Sequence, residues 1–165
     1  MKKVLFLAIM LVAGLSLQAQ EGASIGINLG IPTGDAGDIS GLSLGVDFNY
    51  LWSVSDKFDA GVAVGFSNAF GKSIDTGLGS VDLEDIQFLP VAAAGRVHLT
   101  EDFSAGVDLG YAIGINDGND GGFYYRPMVG YSLSEKLGLN LSYTGISLDS
   151  DFSWNTINLG LMLAL

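Results

Sequence analysis

The sequence predicts an all-β fold, an eight-stranded antiparallel up-and-down transmembrane β-barrel. Three observations predict it. Apolar and small polar residues alternate with a period of two. Phe103, Ala105, Val107, Leu109, Tyr111 and Ile113 share one face; Ser104, Gly106, Asp108, Gly110, Ala112 and Gly114 share the other. Mean hydropathy is +0.41 with only 15% charged residues, yet beyond residue 19 no run approaches the roughly 20 apolar residues of a membrane helix. Only helices and closed barrels satisfy every backbone polar group in hydrocarbon, so a barrel is the remaining way to span it. Finally, a short charged turn recurs at Ser55–Phe58, Thr100–Phe103 and Ser134–Leu137, each time launching an alternating strand.

Residues 1–19 read as a cleaved secretory signal peptide and residues 20–165 as the barrel domain. Lys2 and Lys3 form a basic n-region, Val4 to Leu15 an apolar h-region, and Ala19 the −1 position. There is no cysteine, hence no lipid attachment after the leader, no disulfide and no thiolate metal site. Loss of Lys2 and Lys3 moves the net charge from −11 to about −13 and leaves Lys57, Lys72, Arg96, Arg126 and Lys136 as the only strong bases. Nucleic acid is excluded as a partner, because phosphate binding needs clustered cations.

The strands follow in order. They are expected near residues 23–32, 42–54, 58–70, 84–99, 103–115, 122–133, 137–147 and 152–165. Connections alternate between three short turns and four longer loops, among them 33–41, 71–83, 116–121 and an acidic loop around Asp149 to Asp151. Pro90 lies within the fourth strand, and a bulge or phase slip is expected there because proline cannot donate to the ladder. Phe152 and Trp154 are out of phase with Ile157, Leu159, Leu161, Leu163 and Leu165, so a second slip is expected near Asn155–Thr156. Pro127 predicts a local irregularity in the sixth strand.

The polar face decides which side is inside. A soluble cavity barrel carries long charged residues on its wet face, whereas here that face is Gly-rich, with Asn28, Asp47, Asn49, Asp108, Asn140 and Asn158. Such residues suit the crowded interior of an eight-stranded barrel. The apolar face carries aromatics near both ends: Tyr50, Trp52, Phe58, Phe103 and Tyr131 toward the turns, Tyr111, Phe123, Tyr125 and Tyr143 toward the loops. These predict two interfacial girdles.

The leader, the eight amphipathic strands, the S/T-D/E-x-F/L turns and the strand-terminated C-end make the chain similar to the OmpA/OmpX-type small outer-membrane β-barrel superfamily (porin-family-like). Members often end in an aromatic residue, where this chain has Leu165. The resemblance implies a location in the outer membrane of a Gram-negative bacterium. It further implies contact with outer-membrane lipid and lipopolysaccharide, passage through the barrel-insertion machinery, and a monomeric state.

The inner face places Asp47, Asp59, Arg96, Asp108 and Arg126 in the lumen. If the second turn pairs Leu99 with Phe103, Ala94 faces Asp108 and Arg96 is its diagonal neighbour, within reach of a salt bridge. Buried charges require partners, so these residues predict a neutralised polar network that fills the lumen. The single histidine, His98, falls at the turn-side rim. No nucleophile–base motif accompanies it, and neither an enzyme nor a cofactor is expected. The NDGNDGG segment lacks an acidic residue at position twelve of a calcium loop, where Pro127 or Met128 stands, so no metal site is predicted. The expected function is a structural or interaction role through short acidic external loops. A narrow pore or transporter for small solutes is the alternative.

Overall fold

The computed structural model describes residues 22–75, 79–148 and 152–165. The proposed leader and the acidic loop around Asp149 and Asp151 lie outside the described residues. Ten strands and one short helix are present among the described residues: β1 (Ala23–Thr33), α1 (Asp35–Ile39), β2 (Ser40–Ser55), β3 (Phe58–Gly71), β4 (Ser73–Asp75), β5 (Ser80–Asp82), β6 (Ile86–His98), β7 (Phe103–Gly114), β8 (Gly122–Ser132), β9 (Leu137–Ser147) and β10 (Ser153–Ala164). Eight of them close into an antiparallel barrel in the order β1-β10-β9-β8-β7-β6-β3-β2. The terminal strands β1 and β10 seal it through ten residue pairs, from Ser24↔Ala164 to Thr33↔Asn155.

Local chemistry explains the recurring turns. Thr100 Oγ1 accepts from the backbone N–H of Phe103 at 3.0 Å, and Ser134 Oγ accepts from that of Leu137 at 3.1 Å. A hydroxyl at the first turn position thus satisfies a donor that the reversal would otherwise strand. The first copy closes differently, with a bulge between Ser53 and Ser55 that pairs Ser55 with Phe58.

Two expected slips are absent. At Pro90 the β3–β6 ladder opens at Gly65 and Phe66, but the pairings on either side, Val64↔Val91 and Ser67↔Phe88, keep one register. The β6–β7 ladder runs through Pro90↔Ala112 without a break. In β10 the register is continuous with β9 from Ser153 to Leu163, so Trp154 points inward in phase with Thr156 and Asn158. The slip proposed at Asn155–Thr156 does not occur, because Trp154 is a lumen residue rather than a displaced girdle residue. Pro127 does open the β8–β9 ladder, again without a change of register.

The two longest loops contain structure that the alternation did not predict. Residues 33–41 include α1, whose Ala36 is fully buried and whose first turn carries Asp35 and Asp38. Carboxylates there complement the positive end of the helix. In the 71–83 connection, β4 and β5 pair as a small separate hairpin.

The burial pattern is that of a barrel with its apolar side outermost. Ile27 is 60% exposed and Leu159 56%, while Asp108 is 0% exposed. At the loop end the lumen is apolar as well: Phe88, Tyr124, Ile146 and Trp154 form one cluster with Ala36, Ala92 and Ala112. The Phe88 and Trp154 rings meet at 5.6 Å between centroids. Phe88→Ala is therefore expected to lower stability by about 3–5 kcal/mol. A reduced urea midpoint of the folded barrel in detergent micelles is the check.

Candidate functional site

The site lies in the lumen, where the strand register brings four charges together. Asp108 on β7 stands opposite Ala94 on β6, and Arg126 on β8 stands opposite Asp108. Arg126 Nε donates to Asp108 Oδ2 at 3.0 Å, with Nη2 2.8 Å from the same oxygen. Its Nη1 reaches Asp47 Oδ2 on β2 at 2.5 Å. Strand β2 lies four strands from β8 in either direction around the barrel. The Arg126–Asp47 contact consequently crosses the lumen from one wall to the other. Asn28 Nδ2 donates to the same Asp47 oxygen at 2.6 Å.

Arg96 completes the cluster from β6. Its Nη1 lies 2.7 Å from Asp108 Oδ1. That oxygen lacks an aligned hydrogen bond, so the contact is a close ion pair. The Nη1 hydrogens go to the carbonyls of Gly95 at 2.9 Å and Val107 at 3.3 Å. Glycine makes this layer possible. A Cβ on Gly106 would fall 2.4 Å from Arg96 Cδ, and one on Gly65 would fall 2.7 Å from Asp47 Oδ1. Two cations and two carboxylates balance, which is the condition for burying them.

Asp59 does not join the cluster. It pairs with His98 Nε2 at 2.7 Å at the turn-side mouth and accepts from Ser53 Oγ at 2.9 Å. The residues absent from the sequence expectation are Phe88, Tyr124, Ile146 and Trp154, which close the lumen above the charges. Unbroken alternation through Pro90 and Asn155 would have placed Phe88 and Trp154 inside.

The nine aromatics expected as girdles all occupy outward register positions. On the turn side, Tyr50 and Trp52 meet at 5.1 Å, Phe103 and Tyr131 at 4.8 Å, and Phe58 is exposed. On the loop side, Phe123, Tyr125 and Tyr143 form a chain with spacings of 6.4 and 6.2 Å, and Tyr111 Oη donates to the Asp120 carbonyl. In the NDGNDGG segment the two asparagine amide oxygens are engaged by backbone donors. Asn116 Oδ1 accepts from the Gln87 N–H, and Asn119 Oδ1 from the Gly121 N–H. Among the described residues no group of three or more metal-ligating side chains is assembled.

An outward apolar belt, inward paired charges and full closure are the features of a membrane barrel. The outer membrane protein beta-barrel domain profile matches residues 4–164. The chain belongs to that family. Its members are barrels of the Gram-negative outer membrane. Among solved structures, the Yersinia pestis outer membrane protein Ail in a phospholipid nanodisc is 20% identical, with a TM-score of 0.59, over 86% of this chain and 97% of Ail. Neisserial surface protein A is 12% identical, with a TM-score of 0.54, over 88% of this chain and 98% of that one. A de novo designed transmembrane β-barrel is 15% identical, with a TM-score of 0.56, over 88% and 98%. These likenesses concern the fold. No curated protein matches the chain.

Arg126 is the one cation on buried Asp47 and one of two on Asp108, so Arg126→Ala leaves Asp47 without a charge partner and Asp108 with Arg96 alone, and is expected to cost about 3–5 kcal/mol. Asp59→Asn touches only a half-exposed pair at the mouth and is expected to cost about 0–1 kcal/mol. Urea midpoints of the two variants in the same detergent give the comparison; equal losses would contradict the assignment.

Proposed function

We infer that this outer-membrane barrel works as a structural and interaction protein with a closed lumen, without catalysis and without steady conduction. One observation carries the reading: the Arg126–Asp47 bridge spans the lumen, and the Phe88–Trp154 layer stands above it. An ion crossing the barrel would have to part a buried ion pair and then an apolar layer, and both steps are costly. The pore alternative rested on a glycine-rich lumen. It loses that support, because side chains from the facing strands occupy the space those glycines leave.

The surface left for interaction is the loop end. Its described charges are Asp35, Asp38, Asp75, Asp82, Glu84, Asp85, Asp117 and Asp120 against Lys72. This acidity suits a basic partner or a bridging cation and repels polyanions. The sulfated heparin analogue with which Ail has been crystallised is thus the wrong sign for these loops. In this reading the two aromatic belts sit at the lipid–water interfaces, the barrel is a monomer among lipid and lipopolysaccharide, and the insertion machinery places it there after export. Export removes residues 1–19.

Two measurements test the reading. In planar bilayers the purified barrel is expected to give no steady discrete openings; regular openings would support the narrow pore instead. Intact mass of the protein from outer membranes is expected to correspond to a chain starting at Gln20. A mass retaining Met1 would refute cleavage.

A further inference from the structure

The connection between β7 and β8 carries one tripeptide twice, Asn116-Asp117-Gly118 and Asn119-Asp120-Gly121. In the whole sequence only these two aspartates stand directly before a glycine. Such a pair is reactive. The following backbone nitrogen can attack the side-chain carboxyl carbon, and glycine has no Cβ to obstruct the approach. Ring closure requires the peptide plane between the two residues to turn, so whatever fixes that plane holds back the reaction. By sequence the two pairs are nearly equivalent, with asparagine before each.

The fold separates them. The Asp120–Gly121 plane is fixed at both ends: Tyr111 Oη donates to the Asp120 carbonyl at 3.1 Å, and the Gly121 N–H donates to Asn119 Oδ1 at 3.2 Å. Gly121 is also buried, and a Cβ on it would fall 2.0 Å from the Ala112 carbonyl oxygen. The Asp117–Gly118 plane is the centre of an exposed turn, closed by the Asn119 N–H on the Asn116 carbonyl at 3.1 Å. Neither the Asp117 carbonyl nor the Gly118 N–H makes a hydrogen bond among the described residues. Gly118 has φ +78°, and beyond its chain neighbours no atom lies within 4 Å of where its Cβ would stand.

We propose that Asp117–Gly118 is a self-modification site, where Asp117 converts to isoaspartate in the folded barrel while Asp120 is protected. The Gly118 nitrogen bonds to Asp117 Cγ. The amide hydrogen leaves with the carboxyl hydroxyl as water, and a cyclic succinimide remains. Water then reopens the ring. Breaking the bond from nitrogen to Cγ restores aspartate. Breaking the bond from nitrogen to the main-chain carbonyl carbon routes the chain through Cγ and leaves a carboxylate on Cα. The water lost is regained, so mass is conserved, and no other reactant is consumed. The product has an extra backbone carbon between Asn116 and Asn119, the two side chains that bind the backbone of Gln87. The loop end thus acquires a second covalent form as the protein ages.

The test is to age the folded barrel in micelles at neutral pH and body temperature, and in parallel the chain unfolded in urea. The tryptic fragment carrying both pairs is then separated from its isomers and fragmented by electron transfer, which locates isoaspartate residue by residue. In the folded barrel isoaspartate is expected at Asp117 several-fold ahead of Asp120. In urea the two rates are expected to converge. Tyr111→Phe releases the Asp120 carbonyl and is expected to raise conversion at Asp120 in the folded barrel, with Asp117 unchanged. No isoaspartate at Asp117, equal conversion at both positions in the folded barrel, an undiminished preference in urea, or an Asp120 indifferent to Tyr111→Phe would overturn the proposal.

Discussion

Closure is the constraint on which the rest of this structure depends. In hydrocarbon no water is available to an unpaired N–H or C=O, so a sheet is stable there only if it has no edge. The ten β1–β10 pairs remove the last edge. The two strand prolines show how strictly the rule is kept. Pro90 opens the ladder to β3 and Pro127 the ladder to β9, each over two residues, while both keep their pairings to β7. Neither shifts the register, so neither reverses the faces of its strand.

Closing eight strands makes a narrow interior, and narrowness dictates the chemistry inside it. Half of each strand's side chains must fit there, which selects Gly, Ala, Ser and Asn on that face. The few large residues admitted have definite partners. Phe88 lies on Trp154, and Arg126 lies between Asp47 and Asp108. Gly106 and Gly65 supply the space that the charges of Arg96 and Asp47 occupy. Outside, the same alternation presents Ile27, Leu29, Leu159 and Leu161, which in water would be a liability and in lipid are the means of insertion.

The period of two made the barrel, its strand number and its faces legible, because face is a property of parity alone. It also yielded the Ala94↔Asp108 pairing and hence the proximity of Arg96, since a short turn fixes the register of the hairpin it closes. Parity says nothing of position around the barrel. The contact between Arg126 and Asp47 joins opposite walls and residues 79 apart in sequence, and no local pattern encodes it. Parity unbroken through Pro90 and Asn155 places Phe88 and Trp154 inward, and the slips expected at Pro90 and near Asn155–Thr156 hide that placement in the sequence. Helix α1 spans five residues, too short for a helical period to register.

The central claim is that the apolar face meets lipid and the other face fills the lumen. The two tryptophans test it directly, since Trp52 is 54% exposed on the outside and Trp154 is 4% exposed within. Two single-tryptophan proteins, Trp154→Phe and Trp52→Phe, are reconstituted in vesicles containing lipids brominated near the headgroup, and their fluorescence is compared with that in unbrominated vesicles. Strong quenching of Trp52 with Trp154 unaffected is the expected result. Quenching of Trp154 with Trp52 spared would contradict the account.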